Sequence, residues 1–309
     1  MEELVFTKKQ LKRETKKDGR KVGWALVLYV LLANVVTIPI AVVGVLIQMD
    51  MDMLMGIAQF VGSLAGLGFI FLFFIGKGRG KEVFKRDKKL SFSGFLGLLC
   101  VFFGASLISD LTVTLSEVGL NQIGYTVYSE DLLAMLNSKN VFMLLSIWVL
   151  APVGEELILR GFLMRRLEKH GRLLAITVTS ILFGLMHGNF MQMLPATLVG
   201  FVLGYAAMEY SVLWSIVLHA INNMVLCGIV PMIFDRFGVP AQIIYGYVFP
   251  GICLVIGTVV VICRRKQLAA WVRENKWQKG KLRWSLMTLG TVIFTIYALV
   301  SALLGIQPM

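Results

Sequence analysis

Glu155 and Glu156 stand side by side in the stretch Ala151 to Phe162 (APVGEELILRGF), with Arg160 four residues beyond the second acid. The run before them is apolar. In a membrane helix, each ionised group costs roughly 2.5–3.5 kcal/mol to insert, so charges kept there are read first as functional. Glu156 and Arg160 have the favourable acid-first spacing for an ion pair on a helix. Glu155 points about 100° away and has no such partner within its own helix. One carboxylate reads as structurally paired, the other as free for chemistry.

Two further places break the apolar pattern. His187 stands near the end of a second apolar run, between Gly184 and Gly188. His219 and Asn223 are four apart in a third run and share a helix face. Counted at about 1.5 Å per residue from the basic ends of their helices, Glu155 and His187 lie roughly 20 Å deep, Asn223 roughly 18 Å and His219 about 12 Å. A carboxylate, two imidazoles and an amide thus reach overlapping depths.

A carboxylate in a low-dielectric setting can take a proton from water near neutral pH. Imidazole can orient that water or bind a metal. A histidine and an asparagine can donate hydrogen bonds to a developing oxyanion. Together these parts describe amide hydrolysis inside a membrane. Glu155, His187 and His219 could equally ligate zinc in the His₂Glu manner of catalytic sites. The HExxH spacing of soluble zinc proteases is absent. The cofactor stays open between a divalent metal such as zinc and none.

The elements that must position these groups follow from composition. Of 309 residues, 57% are hydrophobic and only 16% charged, against about 25% charged in a soluble domain; mean hydropathy is +0.78. Several runs reach the roughly 20 apolar residues needed to cross a bilayer. The expectation is an all-α, polytopic membrane helix bundle of about eight to nine transmembrane helices. The net charge of +12 sits in four blocks, before Gly23, over 77–89, over 160–172 and over 264–283. Basic residues mark cytoplasmic loops, so this placement argues for a membrane and against nucleic acid.

One topology puts all four blocks on one side. Its spans are 23–48, 56–75, 94–116, 141–163, 173–187, 194–208, 212–231, 243–263 and 284–304. The N-terminus is then cytoplasmic, and the first run, too long for a signal-peptide core of about 7–15 residues, is a retained anchor. The domain reading is a basic N-terminus (1–22), N-terminal helices (23–140), a catalytic core (141–231) and C-terminal helices with an interfacial basic segment (232–309). In that segment Trp271 and Trp277 among Lys and Arg suit either an interfacial helix or a solvated loop. The outer stretch 117–140 is loosely patterned and expected to be mobile.

Structural readings compete at every polar position. Glu156 with Arg160 reads first as a structural pair, and each lone histidine, like Asn223, can be interhelical glue. Gly184, Gly188, Gly200 and Gly204 read as close-packing positions, and Pro152 as a kink that frees one backbone carbonyl. His170 lies in a basic loop and reads as solvated. Cys100, Cys227, Cys253 and Cys263 lack CxxC spacing and read as buried small apolar residues.

Glu155-Glu-Leu-Ile-Leu-Arg160, Phe183-Gly-Leu-Met-His187 and His219-Ala-Ile-Asn-Asn223, in order across consecutive spans, resemble the EExxxR, FxxxH and HxxxN/D motifs of the CPBP intramembrane proteases. That family comprises CAAX proteases and bacteriocin-processing enzymes and is also called Abi. Ala151-Pro152 and Leu213-Trp214 are similar to its flanking pattern, and the resemblance covers about 141–231. It implies that Glu155 is the water-activating base and that His187 helps to hold the water. His219 and Asn223 would be oxyanion donors, with Glu156 and Arg160 in support. Common naming makes the family metalloproteases, and a metal-free glutamate mechanism is also proposed for it. The implied partners are membrane lipid and a membrane-embedded or lipid-modified peptide or protein substrate. Short loops and a dense basic face suggest a bacterial plasma membrane. Two other classes stay open: a non-catalytic immunity factor or partner-binding scaffold, and a transporter, although no paired halves with interrupted helices are present.

Overall fold

The computed structural model describes residues 7–73 and 80–309, and the side chains of all of these but 130–132 and 136. The first six residues, Lys77 and Arg79 of the second basic block, and the span end expected at Ile75 lie outside the described residues. The long helices are α1 Lys8–Leu46, α2 Met51–Phe73, α3 Phe92–Asn121, α4 Val141–Glu168, α5 Arg172–Met186, α6 Phe190–Glu209, α7 Val212–Phe237, α8 Val239–Cys263, α9 Arg265–Asn275 and α10 Leu289–Leu304. Seven are long and apolar enough to cross a membrane, and the shorter α5 and α10 are apolar too. The molecule is a polytopic helical bundle.

Side-chain caps set where helices begin. Asp50 accepts from the Met53 N–H at 3.0 Å, Ser91 from Gly94, Asn140 from Phe142 and Asn189 from Gln192. Each satisfies one of the backbone donors a helix start leaves unpaired. The outer surface is apolar: Leu46 is 76% exposed, Phe92 77% and Leu304 77%. Among soluble monomers such surface is rare; against lipid it is the ordinary condition.

In the bundle α5 packs along α6, α3 along α6 and α8, and α1 along α2 and α10. The α1–α10 contact is backbone against backbone, since a Cβ on Gly23 would collide with Gly290 and Thr291. The described parts of all four basic blocks meet at one end. Arg166 pairs with Asp18 at 3.0 Å, Arg172 with Asp87 at 2.6 Å, and Lys281 donates to the His170 carbonyl at 3.1 Å.

Several expectations are corrected. The last span is not continuous from Trp284, because Lys281–Leu286 and Leu289–Leu304 are separate helices. The loosely patterned stretch 117–140 carries regular elements: α3 runs on to Asn121, and Tyr125–Thr126 pairs antiparallel with Gln307–Pro308. Glu130–Asn137 is helical, and Glu117 accepts from Val127 N at 2.9 Å. His170 is buried, not solvated. Its Nε2 lies 2.9 Å from Asp18 and its Nδ1 3.4 Å from the Thr15 hydroxyl. All four cysteines are free, but only Cys253 is buried; Cys227 and Cys263 are exposed. For the basic C-terminal segment the helical of the two readings holds over residues 265–275, where Trp271 donates to Glu209 at 2.7 Å.

Candidate active site

Within α4 the double glutamate occupies a short α-helical stretch, Ala151–Glu156, between two stretches wound as π-helix, Ser146–Leu150 and Leu157–Met164. In the wider winding a peptide N–H reaches back five residues, as Ala151 does to the Ser146 carbonyl. The next residue, Pro152, has no N–H to give, which leaves the Ile147 carbonyl for another donor. Asn223 of α7 supplies it, with Nδ2 3.1 Å from that oxygen. Asn223 itself lies in a π-wound stretch, Ile221–Ile229.

Glu156 and Arg160 form the expected pair at 2.9 Å, both completely buried. Glu156 serves two more donors: the Ser215 hydroxyl on Oε2, and His219 Nδ1 on Oε1 at 3.1 Å. Arg160 also donates to the Gly200 carbonyl at 3.3 Å, and its guanidinium carbon lies 4.3 Å from the centre of the Phe183 ring. Buried charges persist only when paired and hydrogen-bonded, and of this pair's side-chain polar atoms only the Arg160 Nε is left without a partner among the described residues. The packing needs glycine, because a Cβ on Gly200 would sit 3.2 Å from Arg160. One on Gly184 would collide with Thr197, and one on Gly204 would meet Ile176 at 3.0 Å. Gly188 is different. Its φ of +61° belongs to the left-handed region, so it is glycine for conformation and not for packing.

Among the described residues Glu155 has no comparable set of donors. It is half-buried, and His219 Nε2 stands 3.9 Å from its Oε2. That gap is too long for a direct hydrogen bond and invites a bridging water. His219 therefore faces both glutamates through opposite ring nitrogens. His187 reaches the same cluster through Phe183, whose ring stands edge-on to both imidazoles at centre distances of 5.0 and 5.5 Å. Its Nδ1 donates to the Phe183 carbonyl at 2.9 Å, which leaves Nε2 of the neutral ring as an acceptor. Glu155, His187 and His219 do not converge as three ligands: among the described residues no three His, Cys, Asp or Glu form a metal-holding group.

Residues 137–225 match the family model described as Type II CAAX prenyl endopeptidase Rce1-like. That model is one of the CPBP family, so this stretch is similar to CPBP proteins. No curated protein and no solved structure matches the chain. The match supports an intramembrane endopeptidase of CAAX type in an integral membrane protein.

Sequence reasoning missed three polar residues around the double glutamate. Ser215 precedes His219 by one turn and lay unread in an apolar run; its hydroxyl completes the donors on Glu156. Asn222 donates to the Asn223 side-chain oxygen at 3.0 Å. Tyr29 comes from α1, outside the CPBP match, and its hydroxyl lies 3.5 Å from where a Cβ on Gly154 would be. Only the first two carried a sequence signal, as polar residues four and one positions from motif members.

Proposed function

We propose that this protein hydrolyses a peptide bond of a membrane-embedded or lipid-modified peptide, with Glu155 as the base that activates water. The observation that carries the reading is His219 set between two unequal glutamates, 3.1 Å from buried Glu156 and 3.9 Å from half-buried Glu155. Glu156 is committed to Arg160, Ser215 and His219, so it orients the imidazole and is not available as a base. Glu155 has room for a water.

In the proposed sequence, Glu155 takes a proton from that water while His187 Nε2 accepts its other hydrogen bond. The resulting hydroxide adds to the scissile carbonyl. For His219 to stabilise the oxyanion, Nε2 must carry a proton as well, since Nδ1 already donates to Glu156. The cation this makes is balanced: Arg160 and the imidazolium face the Glu155 and Glu156 carboxylates at the outset, and once Glu155 holds the proton the oxyanion carries its charge. Asn223 keeps one amide hydrogen beyond that given to Ile147 and is the second donor. Collapse breaks the C–N bond, and Glu155 returns its proton to the departing amine. No step is routed through a metal.

The test is cleavage of a reporter peptide by purified protein reconstituted in bilayers. Glu155→Gln is expected to abolish cleavage while the protein inserts and unfolds at the wild-type temperature. Retained cleavage removes Glu155 as the base. The non-catalytic reading is favoured by one observation, the Asn223 bond to Ile147, which is helix glue. It prevails if the biological phenotype survives alanine at both Glu155 and His219.

A further inference from the structure

An apolar slot of about 510 Å³ lies at the basic end of the bundle, away from the glutamates, where α3, α6 and α8 meet beneath the start of α9. Its walls include Gly97 and Val101 of α3, Phe201 of α6 and Val259 of α8, and its mouth holds Arg264 with the Tyr205 and Tyr210 side chains. The lip faces the surroundings: Val259 is 54% and Val261 42% exposed. A volume of this size is in the range of about 300–1,000 Å³ that holds one small organic molecule.

Charge decides what enters. The Arg264 guanidinium is exposed and has no carboxylate partner among the described residues. The nearby acid, Glu209, is 1% exposed and already accepts from Lys88, Arg172 and Trp271. Arg265 and Lys266 follow on the exposed side of α9. The mouth is thus cationic and the interior greasy, at the depth where basic helix ends meet headgroups. A hydrocarbon chain with an anionic head matches both halves, whereas a free phosphate would leave the slot unfilled.

We propose that the slot binds an anionic membrane phospholipid, one acyl chain between α3 and α8 and the headgroup phosphate on Arg264. The slot also backs onto the catalytic support. Phe201 in its wall is the neighbour of Gly200, whose carbonyl holds Arg160.

The experiment uses the full chain in nanodiscs of phosphatidylcholine with a small fraction of phosphatidylglycerol. Native mass spectrometry counts retained lipid after transfer to detergent. Wild-type protein is expected to keep one phosphatidylglycerol in preference to phosphatidylcholine. Arg264→Gln should weaken that retention about fivefold, the effect of one cation near an anionic lipid, and Arg264→Lys should largely restore it. Gly97→Leu should abolish it, because a Cβ there meets only Val260 at 3.5 Å and the rest of the side chain enters the slot. If Gly97→Leu does not fold, Leu268→Trp blocks the same space from α9. Equal retention by wild type and Arg264→Gln overturns the proposal. So does retention unaffected by a blocked slot, which would place the lipid on the outer surface. Displacement of the lipid by a lipidated peptide would assign the slot to substrate, and a dimer that excludes lipid would assign it to a second copy. Either result also overturns the proposal.

Discussion

Two buried clusters in this molecule use the same side chains to different ends. At the basic end, Asp18 accepts from His170 at 2.9 Å and from Lys169 at 2.8 Å, and pairs with Arg166 at 3.0 Å. Glu209 there is shared among Lys88, Arg172 and Trp271. In the middle of α4, Glu156 is treated likewise by Arg160, Ser215 and His219, but Glu155 beside it has, among the described residues, a single ion-pair contact, His219 at 3.9 Å. The saturated carboxylates hold helices together. The unsaturated one has capacity left for a reactant, and that surplus, more than charge or burial, separates chemistry from structure here.

The sharpest way to break this contrast is to neutralise each acid in turn. Glu155→Gln should lower the cleavage rate by about 10²–10⁴-fold, the usual contribution of a general base, with the unfolding temperature unchanged. Single-turnover kinetics on reconstituted protein reads the first quantity and a thermal melt the second. Glu156→Ala should do the converse first. It leaves Arg160 buried without its carboxylate, a loss of about 3–5 kcal/mol, seen as poor insertion or a large drop in melting temperature. A Glu156→Ala protein as stable as wild type would erase the distinction.

Asp18→Asn tests the other side of the comparison. Burial of Asp18 tends to raise its pKa, but hydrogen bonds from His170 and Lys169 and the charge of Arg166 outweigh it and hold the group well below the usual carboxylate range. Its folded pKa is therefore below the unfolded value of about 3.9. The stability it contributes is present above about pH 4 and fades as pH falls through the folded value. Asp18→Asn should lower stability at neutral pH and flatten the acid limb of the melting curve, with cleavage per folded molecule unaffected. The smallest expected effect is that of a chelator. Because Glu155, His187 and His219 do not converge as ligands, cleavage should change less than twofold in excess chelator; complete loss with rescue by stoichiometric zinc would contradict that.

What was legible in the sequence was local or periodic. The Glu156–Arg160 pair follows from four-residue spacing, and the bundle from apolar runs set against blocks of Lys and Arg. The carbonyl freed by Pro152 was foreseeable too, since it depends only on what proline lacks. What filled that carbonyl was not, because Asn223 lies 76 residues on. His170 failed for the same reason: its loop looks soluble, and its partner Asp18 is 152 residues earlier on α1. Tyr29 carries no pattern at all.

Pro152 also has a consequence for how the chain assembles. With any other residue there, α4 could close its own backbone ladder, and only the Ser215 and His219 bonds to Glu156 would be left to set the rotation of α7 by hydrogen bonding. The absent hydrogen makes α4 incomplete until an amide arrives at one height and one angle, which selects a single register for the two helices. Restoring a donor at that place would remove one of the three hydrogen bonds that fix α7 against α4 and loosen the aim of the imidazole it carries, although no reactive group had been altered.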